Sequence, residues 1–460
     1  MLDLALLAFV ALLLMLGLKR PFLWVLTYIY IDIVMPQKIG WGIITSPSLK
    51  LSLVAFVAAF GGWLLLDAKR GGRFTARQGM IVVLLLWCLM TTFSAEFPDT
   101  AWEKWDWVWK ALVFAAFLPL TLRTRLRIEA AVLFIVLAVG TIAINGGLKT
   151  VGGGGGYGAL KLLVDDNAGI YEGSIISTAA IAIIPLALWL ARHGTIFKPD
   201  WRVWTFTAAL IFACLLIPVG TSARTGLVAA AVLAVLMLRS VKHRFLYAGL
   251  ASLLMMVAVP FLPASFTERM GTISQHEGDQ SASTRVAVWK WTIDYAKDHP
   301  LGGGFDAYRS NSFTYQTRVV TGEGNSTSVE YQTVTESGRA YHSSYFELLG
   351  EQGYFGLALW LVLQALGLWH MERLRWRFGK RAGPDGANAG RASWQWGLAT
   401  ALQQAHAVYL VGAVFVGIAY QPFLFMLIGL QCALWTYVKR TESKQTKAWA
   451  RRAEALQPAE

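Results

Sequence analysis

His342 is the residue of this chain best suited to move a proton near neutral pH, because imidazole alone among the side chains titrates there unperturbed. It closes the one long polar stretch, residues 263–344, in a chain that otherwise runs as apolar segments. Two arginines complete the set. Arg224 sits in the very short connector Gly220-Thr221-Ser222-Ala223-Arg224-Thr225-Gly226, and Arg285 follows Ser281-Ala282-Ser283-Thr284. A guanidinium presents paired N–H donors that match phosphate oxygens, so a histidine and two arginines suit proton transfer beside a phosphate-bearing substrate. Each residue also has a plainer reading. A lone histidine is more often a satisfied structural residue. Arg224 equally suits a side chain snorkelling to lipid phosphate or paired to a carboxylate. Arg285 starts an amphipathic stretch and equally suits a surface residue whose stem covers apolar neighbours. Arg309 and Arg339 are weaker versions of the same case.

The other histidines have less to recommend them. His193, His243 and His370 fall at the ends of apolar runs, His406 lies inside one, and His276 and His299 are ordinary members of the polar stretch. Asp165-Asp166-Asn167 precede an apolar segment, where capping the next helix is the default role and Asn167 could instead hold a sugar hydroxyl. Two adjacent carboxylates without further clustered ligands are poor evidence for a divalent ion. Cys88, Cys214 and Cys432 lie inside apolar runs at unrelated spacings, so neither a metal centre nor a disulfide framework is expected. No cofactor is called for.

What must position these groups is a bundle of apolar helices. The chain is 55% hydrophobic with 20 Trp, and runs of this length need lipid around them because a soluble fold cannot bury so many. No alternating pattern is present, which excludes a barrel and predicts an all-α polytopic membrane protein. Apolar segments fall near 2–18, 21–35, 49–66, 79–94, 108–121, 128–144, 172–191, 203–219, 225–238, 244–262, 345–370, 397–418 and 422–438. That is thirteen by hydropathy, with twelve spans equally supported if Lys19-Arg20-Pro21 only breaks an irregular helix pair. The first segment lacks a basic start and a small-residue cleavage site, so it is expected to stay as a span.

Lysine and arginine set the orientation. Lys69-Arg70-Gly71-Gly72-Arg73, Arg123-Thr124-Arg125-Leu126-Arg127, Arg239–Arg244, Arg373–Arg391 and Lys439-Arg440 fall on alternate connectors and are expected in the cytoplasm. The net charge of +13 therefore points to membrane orientation and anionic headgroups rather than nucleic acid. Residues 263–344 carry seven Lys/Arg against nine Asp/Glu, whereas 371–392 carry six against two, so the polar stretch is expected outside. The expected division is 1–262 membrane helices, 263–344 a large periplasmic loop, 345–438 membrane helices and 439–460 a basic cytoplasmic tail. Within the loop, the apolar spacing of Val286, Val288, Trp289, Ile293 and Tyr295 predicts an amphipathic helix over 284–298, ended by His299-Pro300. Residues 311–340 predict a flexible excursion with a short hairpin. Gly152–Gly156 has no helix start behind it and predicts a loop, not a phosphate cradle.

His342-Ser343, nine residues, then Gly353-Tyr354-Phe355-Gly356 resembles the His-[Asn/Ser/Gln]-x9-Gly-x-x-Gly signature of bacterial O-antigen ligases, whose superfamily includes O-antigen polymerases and protein O-oligosaccharyltransferases. Ser222-Ala223-Arg224-Thr225-Gly226 resembles the family's arginine at the outer end of a span. Thr284-Arg285 and His299-Pro300-Leu301-Gly302 resemble the start of its periplasmic loop. The amino-terminal third, including Tyr28–Gly40, is most similar to an exosortase-associated O-glycosylation ligase branch. The specific motifs cover roughly 220–360.

The resemblance implies an inner-membrane glycosyltransferase of about twelve spans, metal-independent and inverting. It implies en bloc transfer of a glycan from undecaprenyl diphosphate to a lipid A–core or other hydroxyl acceptor at the periplasmic face. It assigns His342 to the acceptor hydroxyl and Arg224 and Arg285 to the diphosphate, with Arg309, Arg339 and Asn167 as further substrate contacts. A polymerase or a protein O-oligosaccharyltransferase would use the same donor. A lipid-linked glycan transporter is the non-enzymatic alternative; it needs charges buried within spans and two related halves, neither of which stands out.

Overall fold

The computed structural model describes residues 2–39, 50–69, 73–153, 160, 162, 169–239, 243–258, 266, 280–321, 328–379 and 393–455. It is 81% helical, and the strands among the described residues form one two-stranded hairpin, so the all-α polytopic class holds. Over its described residues every apolar segment overlaps a helix, although the segment at 397–418 outruns its helix, which ends at Gly412. In order the helices are α1 (Leu2–Lys19), α2 (Phe22–Val34), the single turn α3 (Pro36–Ile39), α4 (Leu51–Gly61), α5 (Ala76–Phe93), α6 (Pro98–Thr121) and α7 (Arg125–Val151). There follow α8 (Gly173–His193), α9 (Trp201–Gly220), α10 (Arg224–Leu238) and α11 (Arg244–Ala258). The polar stretch contributes α12 (Gln280–Asp298) and strands β1 (Ser312–Thr321) and β2 (Ser328–Ser337), before α13 (Ser344–Gly379), α14 (Trp394–Gly412) and α15 (Pro422–Ala455).

Among the described residues seven helices are long and apolar enough to cross a membrane, and Leu4–Lys19, Leu51–Leu66 and Arg224–Leu238 are shorter apolar helices. The most apolar windows of α8 and α15 are 83% buried, while those of α5 and α9 are 39% buried. The first pair therefore forms the centre, and the second turns residues such as Leu86, Met90, Phe206 and Phe212 outward, as lipid contact requires. Local chemistry sets the ends. Thr75 and Gln78 close a capping box on α5, and Thr124 caps α7. Lys19-Arg20-Pro21 does separate two helices, and they fold back on each other with Trp24 Nε1 donating to Leu14 O at 2.7 Å.

The basic connectors meet at one end of the bundle. Asp67 accepts from Arg123 at 3.0 Å and Arg127 at 2.7 Å, Arg125 donates to His193 O at 2.8 Å, and Arg440 donates to Arg123 O. Arg377 pairs with Glu442 at 2.7 Å. Connectors distant in sequence thus share an end, as alternation of the basic runs requires.

Three expectations change in detail. The loop helix begins at Gln280, so Arg285 lies in its second turn and not at its free N–H groups. The hairpin has two ten-residue strands in register from Ser312↔Ser337 to Thr321↔Ser328, longer than expected. The last helix runs on through Ala455, so the basic tail continues α15 instead of starting a separate segment at 439. Asn167 and residues 154–156 of the glycine run lie outside the described residues.

Candidate active site

His342 leads into α13 with φ at 47°, the left-handed region where a non-glycine residue is strained. The neighbouring contacts hold it there. Ser344 N donates to Ala413 O at 2.8 Å, and its hydroxyl both donates to Val416 O at 2.9 Å and accepts from Ile418 N at 2.8 Å. The start of α13 is thereby tied to the turn between α14 and α15. From the loop side, Trp289 Nε1 on α12 donates to Tyr341 O at 2.9 Å, and its ring stacks on Phe346 with centroids 4.9 Å apart. Residues 341–346 are clamped between the loop helix and the bundle.

His342 is largely buried, and its pKa is pushed down to about 4, first by desolvation and then by the charges of Arg285 and Arg339. Both arginines therefore lie within electrostatic reach of the imidazole. Arg285 also acts on Glu172, whose carboxyl is raised by burial and partly restored by hydrogen bonds at the start of α8 and by that arginine. Glu172 caps α8, accepting from Ser174 N. Directly beside it, Gly173 faces Thr221, where an added Cβ would come within 3.0 Å, and Ser177 and Thr221 hydroxyls lie 3.1 Å apart. Thr221–Ala223 is the turn that presents Arg224 as the first residue of α10, with Ser222 at φ 50°. Arg285 thus acts on both His342 and Glu172, and Glu172 adjoins the Thr221–Ala223 turn that leads into Arg224.

Arg339 and Arg309 lie at the base of the hairpin. Asn311 clasps it, donating to Arg339 O at 2.6 Å and accepting from Arg339 N at 2.9 Å. Arg339 pairs with Glu336 at 3.4 Å while still acting on His342. Arg309 turns the other way, 3.9 Å from Asp306 and over the Tyr308 ring, and is not among the charges that act on His342. Two other described histidines are engaged elsewhere. His299 stacks on Tyr295 at 4.2 Å, and His406 sits inside the bundle between Gln364 at 2.8 Å and Gln431 at 3.0 Å.

Gly353 of the motif meets Gly302 of the loop. Gly353 has φ 65° and ψ −168° and breaks α13; an added Cβ would lie 2.2 Å from Pro300 O. Tyr354 N donates to Pro300 O, Gly303 N to Gly350 O and Gly304 N to Glu351 O, at 2.9–3.0 Å. The stretch His299-Pro300-Leu301-Gly302 therefore plugs into the break, and only glycine leaves the space and the dihedral.

One group was passed over in sequence. Lys104 on α6 donates to Glu347 at 2.8 Å and Glu351 at 2.7 Å, with Asp306 3.9 Å away. The available signal was Glu347 and Glu351, one helical turn apart in an apolar segment just after His342. Charges are also buried deeper than the apolar runs suggested, for Arg77 and Glu129 are each 1% exposed. Among the described residues no three His, Cys, Asp or Glu side chains form a candidate metal site.

The fold is that of a polytopic helical membrane protein, and His342 with Arg285 and Arg339 forms a candidate cationic, histidine-bearing site. Residues 208–361, about a third of the chain, match the family model described as O-antigen ligase, which supports a relation to the O-antigen ligase superfamily. Residues 1–195 match a family of unknown function, DUF5935. Comparison with curated proteins gave no match. The superfamily supports glycosyl transfer of the ligase or polymerase type, with a lipid-linked glycan donor and a lipid acceptor.

Proposed function

We propose that this protein is an inner-membrane O-antigen ligase that transfers a glycan en bloc from undecaprenyl diphosphate to a lipid A–core hydroxyl at the periplasmic face. The observation that carries the reading is a largely buried, neutral imidazole in the field of Arg285 and Arg339, with Arg285 also acting on Glu172 beside the turn that presents Arg224. Neutral His342 takes the proton from the acceptor hydroxyl as its oxygen bonds to the anomeric carbon on the face opposite the leaving group. The anomeric C–O bond breaks, and its electron pair leaves on the diphosphate. Arg285 and Arg224 receive that charge, and Arg339 adds to the field from the hairpin base. The departing polyprenyl diphosphate carries both phosphates away, and the configuration inverts.

The cations serve two steps. Before donor binds, burial first and then Arg285 and Arg339 keep His342 neutral, which is the form a base needs. Once a diphosphate lies among them, its negative charge offsets theirs and raises the basicity of the imidazole where it is used. A polymerase or a protein O-oligosaccharyltransferase would run the same chemistry with another acceptor.

Purified protein with lipid-linked glycan should form a single capped lipid from lipid A–core. A ladder of products would identify a polymerase, and a modified polypeptide the protein transferase. His342→Ala is expected to cut transfer by about 10²–10⁴-fold, the usual range for a general base, with Arg224→Ala also impaired. Full transfer by both variants would refute the assignment.

A further inference from the structure

Lys104 is an odd residue to find where it is. Its ammonium is mostly enclosed, with Glu347 and Glu351 within 2.8 Å, Asp306 at 3.9 Å and the Phe305 and Tyr420 rings at 5.4 and 5.1 Å. Its two hydrogen bonds both go to protein carboxylates, so the ammonium is engaged within the fold. Lys104 belongs to the amino-terminal region that matches a family of unknown function, whereas its three carboxylates belong to the O-antigen ligase region. Those carboxylates also hold backbone. Glu351 accepts from Asp306 N at 3.0 Å, and Glu347 accepts from Ala419 N at 3.2 Å. One lysine therefore fixes the first two turns of α13, the 303–306 loop and the turn before α15. The same first turn begins two residues after His342, whose preceding carbonyl is gripped by Trp289.

We infer that Lys104 is a positioning residue for the transfer reaction, through which the amino-terminal helices seat His342 against Arg285. The inference rests on the glycosyl-transfer reading of that site. It gives the amino-terminal unit a part in catalysis, setting the place of the base rather than touching donor or acceptor. A buried ammonium suits the task because its removal leaves two close carboxylates without a counter-ion, and whether they part or share a proton, the contact that ties α6 to α13 and the 303–306 loop is lost.

The test uses the full chain in detergent or nanodiscs. Lys104→Met should lower kcat by about 30-fold or more while KM for the lipid-linked donor stays within about three-fold, because the donor's own contacts remain and only alignment is lost. Lys104→Arg, which keeps the charge, should recover a substantial part of kcat. Carbethoxylation of His342 by diethyl pyrocarbonate, followed by mass spectrometry, should be at least about three-fold faster in folded Lys104→Met than in the parent, because the imidazole is no longer held in its buried seat. Should Lys104→Met fail to fold, Glu347→Gln removes one anchor while Glu351 still faces Lys104, and it must show the same kcat loss and the same faster modification. Parental kcat in the folded variant, or unchanged His342 modification beside a lost kcat, would overturn the inference. A parent protein that transfers no glycan would instead sink the transfer reading, and the modification rates would still report whether Lys104 seats His342.

Discussion

The depressed basicity of His342 gives a pH signature that an ordinary histidine cannot imitate. Its pKa of about 4 lies well below the usual 6.5, with burial the largest cause and Arg285 and Arg339 the next. If His342 acts as the base, kcat/KM follows the neutral fraction of the free enzyme. At pH 5 that fraction is about nine-tenths for a group titrating near 4, against about 3% for one titrating at 6.5. Transfer measured as kcat/KM from lipid-linked glycan should thus be nearly flat from pH 7 to pH 5 and fall through pH 4. The kcat profile should fall at higher pH, because bound diphosphate offsets the arginines and raises the imidazole. Arg339→Gln removes one of the two cations and should move the kcat/KM midpoint upward. Stability changes in the same window and needs its own control. The folded pKa is depressed, so below about 6.5 the unfolded chain takes up the proton first, and stability falls until about pH 4 by at most about 3 kcal/mol. Circular dichroism at each pH separates that loss from the catalytic one. A kcat/KM midpoint near 6.5 in folded protein would refute the seating of His342 between the arginines.

Two further outcomes test the scaffold. Arg77→Met should change thermal stability and transfer little, because Arg77 is 1% exposed and its Nε and Nη1 lack hydrogen-bond partners, so removing a buried charge offsets the loss of its Nη2 bond to Gln431 at 2.8 Å. Loss of function on that change would instead mark the buried charge as the working part, as a transporter would require. Gly353→Ala should cost about 3 kcal/mol or more, since a Cβ would lie 2.2 Å from Pro300 O at a φ of 65°, and differential scanning fluorimetry would read it. A parental melting temperature would show that the break in α13 is not needed.

The helices were legible in sequence because lipid imposes a length and a composition on anything that crosses it. The same rule is silent on how far a helix runs beyond the apolar part, which is why α15 was cut short at 438. Arg285 was misplaced by a local signal. Ser281, Ser283 and Thr284 look like caps, yet the helix takes them in from Gln280, since hydroxyl residues at a helix end compete weakly with packing further along it. The pairing of His342 with Arg285 could be expected only through the motif resemblance, because nothing local to either residue points to the other. Lys104 escaped for a plainer reason. Its partners Glu347 and Glu351 are 243 and 247 residues away, and a lysine among Glu103 and Asp106 at a helix start passes for a solvated face.

The fixed spacing in the motif can now be understood as a length. Between His342-Ser343 and Gly353 lie Ser344 to Gln352, a helical rod of about 13 Å at 1.5 Å per residue. One end carries the histidine and is tied to the turn before α15; the other ends at the glycine that admits Pro300 and Leu301. Glu347 and Glu351, four apart, face the same side and meet Lys104. One residue more or fewer would turn the far end by about 100°, so the carboxylates and the glycine could not both meet partners that are themselves held by other helices. Packing alone therefore accounts for the glycine. It is the stop against which the rod is measured, and the histidine stands where it does because the rod has one length.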